Sequence, residues 1–148
     1  MRKIFVATLT ILTAIILLAP QDSLAKSAQF RARLDAIQQA ENICMKKADG
    51  ITSEMRDCLG EASTKLDALL TDSYNYIRKE VKADTVFFDA LKTEQLAWIK
   101  VRQAASAKVA APYEGGSAGN LSYASAYNTI LVNRVELFIY LALCVEPM

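Results

Sequence analysis

The sequence contains no histidine, only three cysteines and only three prolines among its 148 residues. Histidine is the commonest metal ligand and general base, so its absence removes the usual zinc sites and the Ser-His and Cys-His arrangements of hydrolases. The cysteines show no Cys-x-x-Cys spacing, and Asp67 with Glu94 makes no convincing acid pair. We therefore predict a protein that is not an enzyme and that binds no metal and no cofactor.

The scarcity of proline goes together with an absence of strand-like alternation, because apolar residues instead recur every three or four positions. This spacing is typical of helices with one apolar stripe. The chain is predicted to be all-α, an antiparallel bundle of about four helices that includes a disulfide-stapled helical hairpin. We expect the helices over about 28–48, 52–82, 84–111 and 122–145, with one clear loop at 112–120 (PYEGGSAGN).

Neither sign of charge dominates, with 17 Lys and Arg against 16 Asp and Glu, so we predict no nucleic-acid partner. The chain begins with MRK, an apolar run and small residues before Ala25, the layout of a cleavable secretory signal. An uncleaved anchor is the alternative, although the run is short for a span of ~20 residues. We expect 1–25 to be removed and 26–148 to form one periplasmic or secreted domain, with no stable membrane span after cleavage.

The cysteines of an exported chain are expected to form disulfides. Cys44 and Cys58 flank the turn around Ile51 symmetrically, and antiparallel helices would place them at the same height, which predicts a disulfide. Buried thiols or a metal site are the alternatives. Cys144 is left over, and we expect it to be buried, because the segment LFIYLALCV is apolar on all sides and predicts a fully buried helix. Self-association through this helix, with an intermolecular disulfide, is the other interpretation.

One stripe of the third predicted helix combines polar and large apolar side chains. At about 100° per residue, Gln95 and Arg102 point to the same side as Leu91 and Trp98. A buried amide or guanidinium without partners is costly, so partners are expected nearby.

The second predicted helix can supply those partners if it folds back on the third. Tyr74 then lies opposite Leu91, and Asp67 is expected to reach Arg102 or the Trp98 indole N–H. Tyr74 or backbone groups are expected to reach the side-chain amide of Gln95. We interpret these residues as a lock on the register of a helical hairpin, and a ligand site or catalytic acid at Asp67 is the alternative.

These residues stand in a definite order along the chain: Cys44, Cys58, Asp67, Tyr74, Leu91, Gln95, Trp98, Arg102 and Gly115-Gly116. In this order and spacing, they resemble the LprI-type lysozyme inhibitor family, a group of small exported all-helical bacterial domains, of which some inhibit lysozyme. The resemblance covers about 40–140, and its most specific part is Gln-x-x-Trp-Ile-x-x-Arg, residues 95–102.

The chain departs from the family pattern at several positions. The family usually has a second cysteine pair, and Ser106 and Ala126 stand at those places here. Thr71 replaces a usual Asn, and Val101 replaces an aromatic residue. The resemblance therefore implies one disulfide where relatives have two.

The resemblance implies an exported protein that binds a protein partner, lysozyme, and blocks cell-wall hydrolysis. The candidate partner-binding segment is Tyr113, Glu114, Gly115 and Gly116, with the tyrosine as an aromatic anchor and the glutamate as a carboxylate for a basic enzyme. A simple interhelical loop is the alternative for this segment. The alternative function is a periplasmic interaction module with a non-lysozyme partner, which the apolar last helix and Cys144 favour.

Overall fold

The computed structural model describes residues 21–145, and nearly all of them are helical. Helix α1 spans Gln21–Ala48, α2 spans Thr52–Glu80, α3 spans Thr85–Ala110 and α4 spans Ser117–Cys144. No strand occurs within the described residues. The all-α prediction with four helices is confirmed. Residues 1–20 of the expected signal peptide lie outside the described residues. Its cleavage stays a prediction.

The connection between α3 and α4 is shorter than the predicted loop 112–120. A 3-10 turn at Ala111–Tyr113 follows α3 directly, and α4 already begins at Ser117. Glycine in a first helical turn weakens a helix without ending it, and here Gly119 is buried against the 3-10 turn. A Cβ at Gly119 would lie 3.4 Å from the Tyr113 Cβ, so the start of α4 is in close contact with the 3-10 turn.

Helix α4 is the central element of the bundle, because it packs against each of the other three helices. The Ser27 hydroxyl, near the start of α1, donates to the Ile139 carbonyl oxygen at 3.0 Å, so α1 and α4 are antiparallel. Chain direction alternates from α1 to α4. Both the 49–51 turn and the 111–116 connection therefore lie at the same end of the bundle.

The predicted hairpin of α2 and α3 needs a correction. These helices run antiparallel, but their backbones hardly touch, because α4 packs between them and contacts both. Long side chains such as Asp67 and Arg102 bridge the remaining gap. The stapled hairpin is the one formed by α1 and α2, where the predicted disulfide Cys44–Cys58 is confirmed with a Cα–Cα distance of 5.7 Å.

The apolar core comes almost entirely from α1, α2 and α4. Its fully buried side chains include Phe30, Leu34, Leu66, Leu69, Ile77, Leu131, Val135 and Phe138. Helix α3 contributes only Leu91 to the buried cluster, with Trp98 packed against it from a partly exposed position. Helix α3 is therefore the outermost element of the bundle.

The prediction that the end of α4 is fully buried is wrong, and so is the prediction that Cys144 is buried. Cys144 is exposed, and Leu137, Tyr140 and Leu143 are between 42% and 62% exposed. The neighbouring helices cover one side of these last turns and leave the other side in solvent. None of the helices within 21–145 is long and apolar enough to cross a membrane.

Candidate functional site

The predicted ion pair between α2 and α3 is present. Arg102 Nη1 donates to Asp67 Oδ1 at 2.9 Å, with the arginine only 8% exposed and the Asp67 side chain 45% exposed. The second Asp67 oxygen accepts from the Tyr127 hydroxyl at 3.4 Å rather than from the Trp98 indole. Burial, followed by the charge of Asp67, raises the pKa of Tyr127, so its hydroxyl stays a donor at neutral pH.

The partner predicted for Gln95 is wrong. Gln95 Oε1 accepts from Nε and Nη2 of Arg134 at 2.9 and 2.6 Å. Arg134 belongs to α4, is 5% exposed and also donates to both carboxylate oxygens of Glu94. The prediction named a side chain from α2 alone. The missed signal is an arginine between Leu131 and Phe138 in an apolar stripe, the same anomaly that marks Arg102.

Guanidinium groups and aromatic rings contact one another in a row along the seam between α2, α3 and α4, alternating except at one ring–ring stack, and we call this arrangement the cation–aromatic column. The column runs in the order Tyr127, Arg102, Trp98, Arg134, Phe138, Tyr74, Arg78 and Phe88. Its closest cation–ring contact joins Arg102 to Tyr127 at 4.3 Å. Tyr74 stacks on Phe138 with ring centroids 5.8 Å apart, so its main contact lies on α4.

The column fixes how α3 sits on α4. Each buried cation–ring contact is worth about 0.5–2 kcal/mol, and the flat guanidinium can stack and donate hydrogen bonds at the same time. Trp98 lies between two guanidiniums, at 4.9 Å from Arg102 and 5.1 Å from Arg134. A shift of α3 along its axis would separate all of these groups together. The arrangement is suited to holding a rigid scaffold.

The segment 111–116, which we call the connecting loop, is exposed and internally hydrogen-bonded. The backbone N–H of Glu114 donates to the Ala111 carbonyl, and that of Gly116 donates to the Tyr113 carbonyl, both at 3.3 Å. Glu114 and Gly115 adopt left-handed backbone with φ values of 49° and 81°. The Tyr113 side chain is 51% exposed, and Glu114 forms no ion pair within residues 21–145. The loop therefore presents an aromatic ring and a free carboxylate.

An uncharged groove of about 540 Å³ opens at the same end of the bundle as the connecting loop. Its larger lining side chains are Met45, Met55, Leu59, Val109, Leu121 and Ile130. Ala126, one of the two positions at which the resemblance implies a cysteine in relatives, also lines this groove. Ser106, at the other place, is fully buried and donates to the Arg102 carbonyl oxygen at 2.9 Å. Within 21–145 no cluster of three or more His, Cys, Asp or Glu residues is placed to hold a metal ion.

Comparison with known families matches residues 44–137 to the family described as Lysozyme inhibitor LprI. No curated protein and no solved structure matches the chain. The matched segment is more than half of the chain, and it contains the disulfide, the Asp67–Arg102 pair, Arg134 and the connecting loop. The resemblance is thus confirmed, and the chain belongs to the LprI lysozyme inhibitor family.

Proposed function

We propose that the protein acts outside the cytoplasm, where it binds lysozyme and blocks cell-wall hydrolysis with its connecting loop. Membership of the LprI family supports the type of partner. The Cys44–Cys58 disulfide supports an oxidising compartment. The observation that carries the proposal is an exposed, internally hydrogen-bonded loop that joins the two helices held together by the cation–aromatic column.

The loop has the chemistry that such an inhibitor needs. Tyr113 offers a large amphipathic side chain, the type most often found at the energetic centre of an interface. Glu114 offers an unpaired carboxylate, and charge complementarity with a basic enzyme would favour encounter. The two backbone hydrogen bonds within the loop favour its folded shape and would reduce the conformational entropy lost on binding.

The test is inhibition of cell-wall lysis by several types of lysozyme, titrated with the processed protein purified from the envelope. Tyr113→Ala is expected to weaken inhibition at least about tenfold, as for a central aromatic contact. Tyr140→Ala is the matched control, because Tyr140 is 62% exposed at the opposite end of the bundle. For the carboxylate, Glu114→Gln is compared with Glu54→Gln in the exposed first turn of α2. Unchanged lysis at micromolar protein would refute the proposal.

A second candidate function is an envelope interaction module with a different protein partner. The exposed apolar end of α4, with Tyr140, Leu143 and Cys144, favours it. In that case Tyr140→Ala would abolish recovery of a specific partner in a pull-down, while Tyr113→Ala would not. The same two variants therefore distinguish the two functions.

A further inference from the structure

The second half of α4 carries a stripe of exposed residues on the side that faces away from the core. Asn133, Leu137, Tyr140 and Cys144 follow one another at steps of four, three and four residues, and all four are exposed. At about 100° per residue they lie within about 60° of one another around the helix axis. Leu137 and Tyr140 are 42% and 62% exposed. We call these four residues the α4 seam.

The spacing of the α4 seam distinguishes it from single apolar residues scattered on a surface. Alternating steps of three and four residues form the repeat by which two helices pack side by side along their length. The core side of the same turns is already occupied, because Phe138 and Ala142 are fully buried in the bundle. Helix α4 therefore has a second packing face, and no residue within 21–145 covers it.

The charge on this face favours a copy of itself over a charged partner. Residues 137–145 include no charged side chain, and Glu136 at the edge of the seam is paired with Arg31 of the same chain. Glu80 and Asp84 line a groove of about 350 Å³ beside the seam, so they flank it without interrupting it. A second α4 seam would meet no like charge within the seam itself, whereas a charged partner would find no counter-charge there.

Cys144 identifies the second copy more specifically. Its thiol is exposed and unpaired, whereas Cys44 and Cys58 are bonded to each other. In the oxidising compartment proposed above, an odd exposed thiol is expected to form an intermolecular disulfide. In a parallel helix pair each seam residue faces its own equivalent, and an interaxial distance of about 10 Å leaves ~5–6 Å between facing Cα atoms. That separation is suited to a disulfide.

We propose that two copies of the protein pack side by side along the α4 seam, with parallel α4 helices and a Cys144–Cys144 disulfide between them. An antiparallel pair with the same disulfide would place Tyr140 opposite position 148, beyond the end of α4 at Cys144. A stable interface buries about 800 Å² on each partner, more than four side chains supply, so the disulfide is needed to hold the pair. Both connecting loops lie at the same end of the pair, and each copy keeps its loop free.

Formation of the disulfide uses a small-molecule disulfide, such as oxidised glutathione, as the oxidant. The Cys144 thiolate of one copy attacks this disulfide, forms a mixed disulfide and releases one small thiol. The Cys144 thiolate of the second copy then attacks the protein sulfur of the mixed disulfide and releases the second small thiol. Two protein thiols are oxidised to one disulfide, and the small disulfide is reduced to two thiols that take up the two protons.

The test compares thiols at three positions of the processed protein in a mixture of reduced and oxidised glutathione. The unaltered protein supplies Cys144, and two variants combine Cys144→Ser with Leu137→Cys or with Ala104→Cys. After the thiols are trapped with N-ethylmaleimide, non-reducing electrophoresis and mass spectrometry measure the ratio of covalent dimer to glutathione adduct. Thiols at 144 and 137 should give mainly dimer, because the parallel seam places each beside its equivalent. The exposed position 104, on α3, should give mainly the adduct.

Tyr140→Ser should lower the ratio of dimer to adduct at least about tenfold, as for a central aromatic contact. Leu96→Ser is the matched control, because Leu96 is 57% exposed on α3, and it should leave the ratio unchanged. Circular dichroism of each variant verifies the fold. Equal ratios for thiols at 144 and 104, adduct alone at 144, or dimer at 144 without dimer at 137 would each overturn the proposal. None of these measurements uses lysozyme, so their failure is distinct from a failure of the proposed function.

Discussion

Arg134 offers the sharpest test of the cation–aromatic column. Replacement by methionine keeps much of the side-chain volume but removes the charge, the planar stacking surface and every donor. It leaves Gln95 Oε1, which is buried and accepts two bonds from this arginine, without a partner. The contacts to the Trp98 and Phe138 rings, at 5.1 and 4.7 Å, lose their electrostatic part.

The expected loss in free energy of unfolding is about 2–6 kcal/mol. An orphaned buried acceptor costs roughly 1–3 kcal/mol, and each of the two ring contacts contributes about 0.5–1 kcal/mol. The ion pair with Glu94 adds less than about 1 kcal/mol, because the Glu94 side chain is 55% exposed and its charge is screened by solvent. Hydrogen bonding to the buried amide is thus the largest part of the effect.

Urea denaturation followed by Trp98 fluorescence measures this loss directly. Arg31→Met is the matched control, because Arg31 forms its ion pair with Glu136 at the surface, where the two side chains are 44% and 48% exposed. This variant should lose less than about 1 kcal/mol in free energy of unfolding. Adding Gln95→Leu to Arg134→Met removes the orphaned amide and should recover about 1–3 kcal/mol. Equal losses in the two arginine variants, or no recovery in the double variant, would refute the importance of the column.

Three further predictions concern other parts of the bundle. Cys44→Ser with Cys58→Ser should lower the free energy of unfolding by about 3 kcal/mol, and reducing agent should then have no further effect on the urea midpoint. Asp67→Asn should lower the free energy of unfolding by about 1–3 kcal/mol, because the buried Arg102 guanidinium loses the carboxylate charge that balances its own. Asp72→Asn, on the surface, should change the free energy of unfolding by less than about 1 kcal/mol in the same assay. Burial raises the pKa of Glu41, so the stability contributed by its protonated form is complete below the ordinary pKa of 4.5 and is lost as pH rises through the raised pKa. Glu41→Gln should therefore raise the thermal midpoint at pH 7 and have little effect below pH 4.5. Equal effects of this substitution at both pH values would contradict the prediction.

Local patterns in the sequence were sufficient for the helices and the disulfide. Periodicity predicted the four helices, and the symmetric spacing of Cys44 and Cys58 about their turn predicted the bridge. The Asp67–Arg102 pair also followed, because a buried guanidinium needs an acceptor and the helical stripe offered one. Each of these inferences depends on residues close in sequence or on one folded-back pair of helices.

The rest depended on the placement of α4, which no local pattern specifies. The partner of Gln95 is 39 residues away, on a helix that sequence reasoning treated only as an apolar cover. The apolar composition of the last helix predicts a buried Cys144, whereas the cysteine is exposed. Composition indicates how much of a helix is buried, but it does not indicate which side the neighbouring helices leave in solvent. Packing of α4 between α2 and α3 decides both outcomes.

The small share of α3 in the apolar core means that cooperativity is unequal across the bundle. Leu91 is its one member of the buried apolar cluster, and the remaining attachment is largely polar and ionic. Helices α1, α2 and α4 can keep their hydrophobic contacts and the Cys44–Cys58 bridge while α3 swings away. We therefore expect detachment of α3 to be the lowest-energy sub-global opening, with its amide hydrogens exchanging with solvent before those of the other three helices.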